Sequence, residues 1–92
     1  MAKLTDDDVE KGLATLPGWE RRGDAIAKEF KFDGFGDAIG FVVRLGFKAD
    51  KADHHPDLDV RYNRVLVILS THSEGGITAK DLALAAEAEG AA

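Results

Sequence analysis

Apolar and polar positions along this chain follow two different periods, and the switches between them mark its elements. Thr5-Asp6-Asp7-Asp8 opens a helix: the Thr5 hydroxyl is placed to accept the Asp8 N–H, and three carboxylates stand at the positive end of the helix dipole. Leu4 and Val9 are spaced as a hydrophobic staple, Val9, Leu13 and Leu16 share one face, and Pro17-Gly18 ends the element. From Trp19 the period becomes two. Trp19 to Arg22, a Gly23-Asp24 turn, and Ala25 to Phe32 with Ile26, Phe30 and Phe32 on one side predict a β-hairpin with one buried face. Lys28 interrupts that face, either lying at the rim with its stem along apolar surface or marking a shifted register.

The helical period then returns. Phe35, Ala38, Ile39, Val42, Leu45 and Ala49 recur over about four turns, with Phe41 and Phe47 off the stripe. A helix apolar on two sides implies either a wide core stripe or a subunit interface. Beyond His54-His55-Pro56, Leu58, Val60 and Tyr62 alternate, Asn63-Arg64 predicts a turn, and Val65 to Leu69, apolar on both phases, predicts a central strand. Thr78-Ala79-Lys80-Asp81 is a second capping box, opening a helix with Leu82, Ala85 and Ala86 inward, Glu87 and Glu89 in solvent, and Gly90 at its end. The order α-β-β-α-β-β-α over residues 1–92 implies one α+β domain, a four-stranded antiparallel sheet with its helices packed on one face.

Charge and composition narrow the classes of function. With 12 Lys and Arg against 17 Asp and Glu, the net charge of -5 gives no electrostatic footprint for nucleic acid or an anionic membrane. The absence of cysteine excludes disulfides and thiolate metal sites and suits a reducing cytosol. Met1 to Asp6 lacks the apolar core of a signal peptide, and no apolar run approaches the roughly 20 residues of a membrane span, so a cytoplasmic protein is expected.

The candidate chemistry lies in three histidines. His54 and His55 stand side by side after the long helix, and His72 follows the central strand, so pairing these segments brings the imidazoles together. Pro56 disfavours helical backbone at His55, and neighbours in extended backbone point in opposite directions, so one of the pair faces a given pocket unless the chain bends. Three readings compete. Each histidine is an ordinary surface or hydrogen-bonded residue; or the trio binds zinc, for which adjacent His-His is poor spacing; or two imidazoles perform general acid-base work, one taking a proton and the other giving one, with a carboxylate among Asp50, Asp53, Asp57 and Asp81 to orient them.

Asp50-Lys51-Ala52-Asp53-His54-His55-Pro56-Asp57, then Val60 to Val65, Leu69-Ser70-Thr71-His72, and Gly76 to Ala85, in that order and at these distances, resemble the pterin-4a-carbinolamine dehydratase family. Gly18-Trp19, the Ile26 to Phe32 strand and Phe35 to Phe41 extend the match over nearly the whole chain. The resemblance implies dehydration of 4a-hydroxytetrahydropterins, formed by aromatic amino acid hydroxylases, to the quinonoid dihydropterin, with no metal or bound cofactor. It implies that Asp53, His54, His55, Pro56, Ser70, Thr71, His72 and Ser73 line the pterin pocket, with His54 and His72 as the proton-transfer pair and His55 holding the substrate. Asp81 matches a family acid beside the pocket. Leu58 stands where some members carry Trp, and Asp50 or Asp57 where they carry Glu. The resemblance also implies a homodimer or homotetramer. Two other functions stay open with it: a non-catalytic dimerisation module, since animal relatives partner a transcription factor, and a dehydratase for another pterin such as a molybdopterin-pathway compound.

Overall fold

The computed structural model describes residues 2–92. Helix α1 (Asp6–Leu13) starts at the predicted Thr5 N-cap, without the return bond from Asp8 that would complete a capping box: Thr5 Oγ1 accepts the Asp8 N–H at 3.1 Å and Val9 turns into the core. Gly12 lets this helix lie directly on the last helix, because a Cβ there would meet Leu82 Cδ1 at 2.5 Å. Strands β1 (Glu20–Arg22) and β2 (Ala25–Lys31) form the expected hairpin, with Gly23 at φ 62° in its turn.

Helix α2 (Phe35–Ala52) runs 18 residues, a turn longer than its apolar pattern suggests. Strands β3 (Asp57–Arg61) and β4 (Arg64–Leu69) follow, then helix α3 (Ala79–Ala91). The sheet order is β1-β2-β4-β3, antiparallel throughout. The β3–β4 turn is Tyr62-Asn63, one residue earlier than expected, since Arg61 pairs with Arg64 and Tyr62 takes the positive φ of 51°. Asn63 anchors the turn across the sheet by donating from Nδ2 to the Phe32 carbonyl at 2.9 Å.

The α+β reading holds. Ile26, Phe30, Val65, Val67 and Leu69 form one cluster with Ala38, Phe41, Leu45, Leu84, Ala85 and Ala88, so the helices cover one sheet face. The core stripe of α2 differs from the predicted one. It is Ala38, Phe41, Leu45 and Ala49, and Phe41 is fully buried with its ring centroid 4.8 Å from Phe30 and 5.1 Å from Phe32. Phe35, Ile39, Val43 and Phe47, spaced four apart, stay exposed along a second stripe, as do Leu58 and Val60 on the edge strand β3. A helix this apolar satisfies two period-3.6 faces, and only packing decides which one faces the sheet.

Helix α3 is likewise rotated from expectation. Leu84, Ala85, Ala88 and Ala91 are buried, Leu82 is half-buried and Ala86 is exposed, and the helix continues through Gly90 to Ala91. Its glutamates are not idle in solvent: Glu87 pairs with Lys48 at 2.9 Å, and Glu89 accepts from Lys28 at 2.8 Å and from the indole of buried Trp19 at 3.1 Å. Lys28 thus resolves its place on the buried face of β2, with its ammonium over the Phe30 ring at 4.8 Å and its charge met by Glu89. No helix among the described residues is long and apolar enough to cross a membrane. Phe41→Ala is expected to cost about 3–5 kcal/mol in chemical denaturation, the range for emptying a buried aromatic site.

Candidate active site

Two loops on the helix side of the sheet build the site. The first begins where α2 ends. Asp53 adopts the left-handed conformation at φ 50°, ψ 43°, which Asp tolerates better than most residues. Its N–H bonds to the Asp50 carbonyl and the His54 N–H to the Ala49 carbonyl, each at 3.1 Å, so the chain leaves the helix in one tight turn and drops His54 inward. His54 is 9% exposed. His55 turns the other way, into solvent, with Nε2 3.1 Å from Asp50 Oδ1. Neighbouring side chains therefore diverge, as the backbone argument requires.

The second loop begins where β4 ends. Thr71 and Gly76 close it with a pair of backbone hydrogen bonds of 2.9 and 3.3 Å, and His72–Glu74 make one 3-10 turn between them. Beyond it, Ile77 is pinned by the Leu4 N–H at 2.8 Å, and Thr78 caps α3. A cleft of about 270 Å³ lies between the two loops. It brings together Asp53, His54 and His55 from the first loop with Ser70, Thr71, His72 and Ser73 from the second, and it adds Lys80. A larger hollow of about 430 Å³ beside the start of α2, lined by Lys31, Asp33, Asp37 and Arg44 among others, holds no histidine.

Two of the named residues do not line this cleft. Pro56 lines the adjacent groove between α2 and β3 with Val43, Phe47 and Leu58, because β3 begins directly after it. Asp81 is fully buried beneath the cleft and does not line it. Its carboxylate accepts three hydrogen bonds: His54 Nε2 at 2.5 Å on Oδ1, and the Thr71 hydroxyl at 2.8 Å and the Thr78 N–H at 2.9 Å on Oδ2. Asp81 is thus both the third residue of the capping box and the partner of His54. Ser70 lines the cleft but gives its hydroxyl hydrogen to the Asp24 carbonyl at 2.8 Å.

The carboxylate decides the histidine's tautomer. An ionised Asp81 can only accept, so the hydrogen of His54 sits on Nε2, and Nδ1 retains a lone pair. Among the described residues, no buried side-chain nitrogen or oxygen lacks a partner, and Nδ1 has none, so it is open to solvent. A histidine oriented through one nitrogen by a buried carboxylate, with the other free, is arranged to move a proton. No group of three or more His, Asp or Glu side chains among the described residues is arranged to hold a metal ion.

Sequence reasoning missed Lys80 and the buried role of Thr78. Both lie in the capping box that the pattern identified, and a box that delivers its acid to a histidine also delivers its neighbours. Asp81→Ala is expected to lose at least about 3 kcal/mol in equilibrium unfolding, since three donors are orphaned at about 1–3 kcal/mol each. Asp50→Ala, which removes only the exposed partner of His55, should stay within about 0.5 kcal/mol of wild type.

The model of the family described as pterin 4 alpha carbinolamine dehydratase matches residues 2–91. A protein of Mycobacteroides abscessus provisionally named pterin-4-alpha-carbinolamine dehydratase is 55% identical over 85 residues, covering 92% of this chain and 90% of that one. A protein of Thermomicrobium roseum with the same name is 48% identical over 85 residues, covering 92% and 91%. Among solved structures, the transcriptional coactivator/pterin dehydratase from Brucella melitensis superimposes with a TM-score of 0.95 at 39% identity over 98% of both chains. A pterin dehydratase-like protein identified as a RuBisCO assembly factor in the alpha-carboxysome gives a TM-score of 0.65 at 18% identity over 79% of this chain and 84% of that one, a likeness of fold alone. Spanned almost end to end by the family model and matched in fold and sequence by its relatives, this chain belongs to the pterin 4 alpha carbinolamine dehydratase family.

Proposed function

We propose that this chain dehydrates a 4a-hydroxytetrahydropterin to the quinonoid dihydropterin by histidine acid-base catalysis. The observation that carries the reading is His54, held by the buried Asp81 through Nε2 in the wall of a cleft that His55 and His72 share. In the reaction, a proton leaves the ring nitrogen beside C4a, the C4a–OH bond breaks, and the hydroxyl gains a proton and departs as water. His54, with Nδ1 free, takes the first proton, and the exposed His72 delivers the second. His55, tied loosely to Asp50 at the rim, binds and orients the pterin. Asp53 and Ser73 contribute the cleft's polar wall.

The relatives' names support a pterin substrate, and the family's chemistry is a water loss that two imidazoles can perform unaided. Which pterin is used is a separate question, and offering biopterin-type and other 4a-carbinolamines side by side answers it. We further infer that a second copy covers the exposed stripe Phe35, Ile39, Val43 and Phe47, giving a homodimer or homotetramer. The same stripe is what a non-catalytic interaction module would use, so activity separates the two readings.

The 4a-carbinolamine, generated chemically, should decay faster with the chelator-treated protein than without it. A decay unchanged by the protein, or acceleration lost with the chelator, counts against the proposal. His54→Ala and His72→Ala should each slow turnover by about 10²-fold or more. An effect confined to His55→Ala would overturn this assignment of roles, leaving His54 and His72 dispensable to turnover. In analytical ultracentrifugation, Phe47→Glu should shift the protein toward monomer, and a wild type already monomeric would remove the assembly from the reading.

A further inference from the structure

The resemblance assigns Thr71 to the substrate, and Thr78 stands in the sequence as a helix cap. Their hydroxyls have no hydrogen left for a ligand. Thr71 Oγ1 carries one hydrogen and lies 2.8 Å from Asp81 Oδ2, an oxygen that only accepts, so the hydrogen is committed there. The 2.8 Å contact between Thr71 Oγ1 and Thr78 Oγ1 must then use the hydrogen of Thr78. Thr78 Oγ1 in turn accepts the Lys80 N–H at 3.2 Å. Each hydroxyl has a single direction, and the chain runs from Lys80 N–H through Thr78 and Thr71 to the carboxylate. Thr71 is 5% exposed and Thr78 is fully buried, so water does not compete for these bonds.

We propose that Thr71 and Thr78 are positioning residues for His54: their one-way hydroxyl chain pins Asp81 Oδ2, turns Oδ1 onto Nε2, and so fixes the His54 tautomer that leaves Nδ1 free to accept a proton. Two donors on Oδ2, the Thr71 hydroxyl and the Thr78 N–H, hold the carboxylate against rotation about its terminal bond. With Oδ1 held 2.5 Å from Nε2, a hydrogen on Nδ1 instead would set two lone pairs against each other. The sequence can read Thr71-His72 as two neighbouring site residues, yet the extended backbone at Thr71, just before the 3-10 turn, sends them apart: His72 into the cleft and the Thr71 hydroxyl down to the carboxylate. This proposal rests on His54 being the proton acceptor of the dehydration.

Long-range 1H–15N correlation spectra of histidine-labelled protein, taken with the ring neutral, test it. Wild-type His54 should show the Nε2–H tautomer, and an Nδ1–H tautomer overturns the proposal without any variant. Thr71→Val should give a mixture of tautomers and lower kcat by about 10- to 100-fold, the factor that one hydrogen bond to a charged group is worth, with KM little changed. Thr71→Ser, which restores the hydroxyl, should restore both. A folded Thr71→Val protein whose His54 tautomer is unmoved overturns the proposal whatever its kcat. If Thr71→Val does not fold, Thr71→Cys, whose thiol is a weak donor, is read in its place by the same criteria. Should the protein leave every pterin carbinolamine untouched, the functional reading fails while the tautomer still decides the chain of bonds.

Discussion

A carboxylate with no access to water is the constraint around which this structure is arranged. Burying Asp81 costs several kcal/mol unless its oxygens are met, and they are met by donors from three separate places: the loop after α2, the end of β4, and the first turn of α3. Those places are brought together only when α2 and α3 lie side by side on the sheet face with β4 beneath them. The cost of the buried charge is thus also a specification, since an alternative packing that leaves one of the three donors behind leaves the carboxylate short of a partner.

The rest of the site follows from that arrangement. The left-handed turn at Asp53 is what lets a residue two positions beyond a helix reach back beneath its end, and the closed 71–76 loop is what holds His72 above the same floor. One histidine is rigid and nearly buried, one exposed in a short turn, and one loosely paired at the rim. Three identical side chains thus acquire three different environments within one small domain.

Much of this was legible in the chain. The Thr5 cap of α1, the Thr78–Asp81 capping box, the Gly23-Asp24 hairpin, the central position of Val65 to Leu69 and the divergence of His54 from His55 follow from local rules, because each depends on interactions within a few residues. The faces of α2 and α3 did not follow. Phe41 and Phe47 are equivalent by pattern, yet one is the centre of an aromatic cluster and the other lies 72% exposed. That choice is made by the sheet and by Ala38 and Ala49, whose small size lets α2 approach. In the site, the histidines and their loops were readable, whereas the burial of Asp81 and the commitment of the Thr71 and Ser70 hydroxyls depend on contacts across 10 to 46 positions. The family resemblance supplied the substrate class, which no spacing could.

Trp19 is the chain's one tryptophan, and its indole bonds to Glu89, 70 positions away, beside the Lys28 ammonium. The bond ties the entry to the first hairpin to the last turns of α3, while Asp81 sits in the first turn of that helix. The two ends of α3 therefore carry separate signals. Tryptophan emission reports whether the far end is docked, and turnover reports whether the near end is. A condition that frays the helix from its C-terminus would change the colour of the protein's fluorescence before it touched the chemistry, so the molecule carries its own probe for distinguishing a loosened frame from a damaged site.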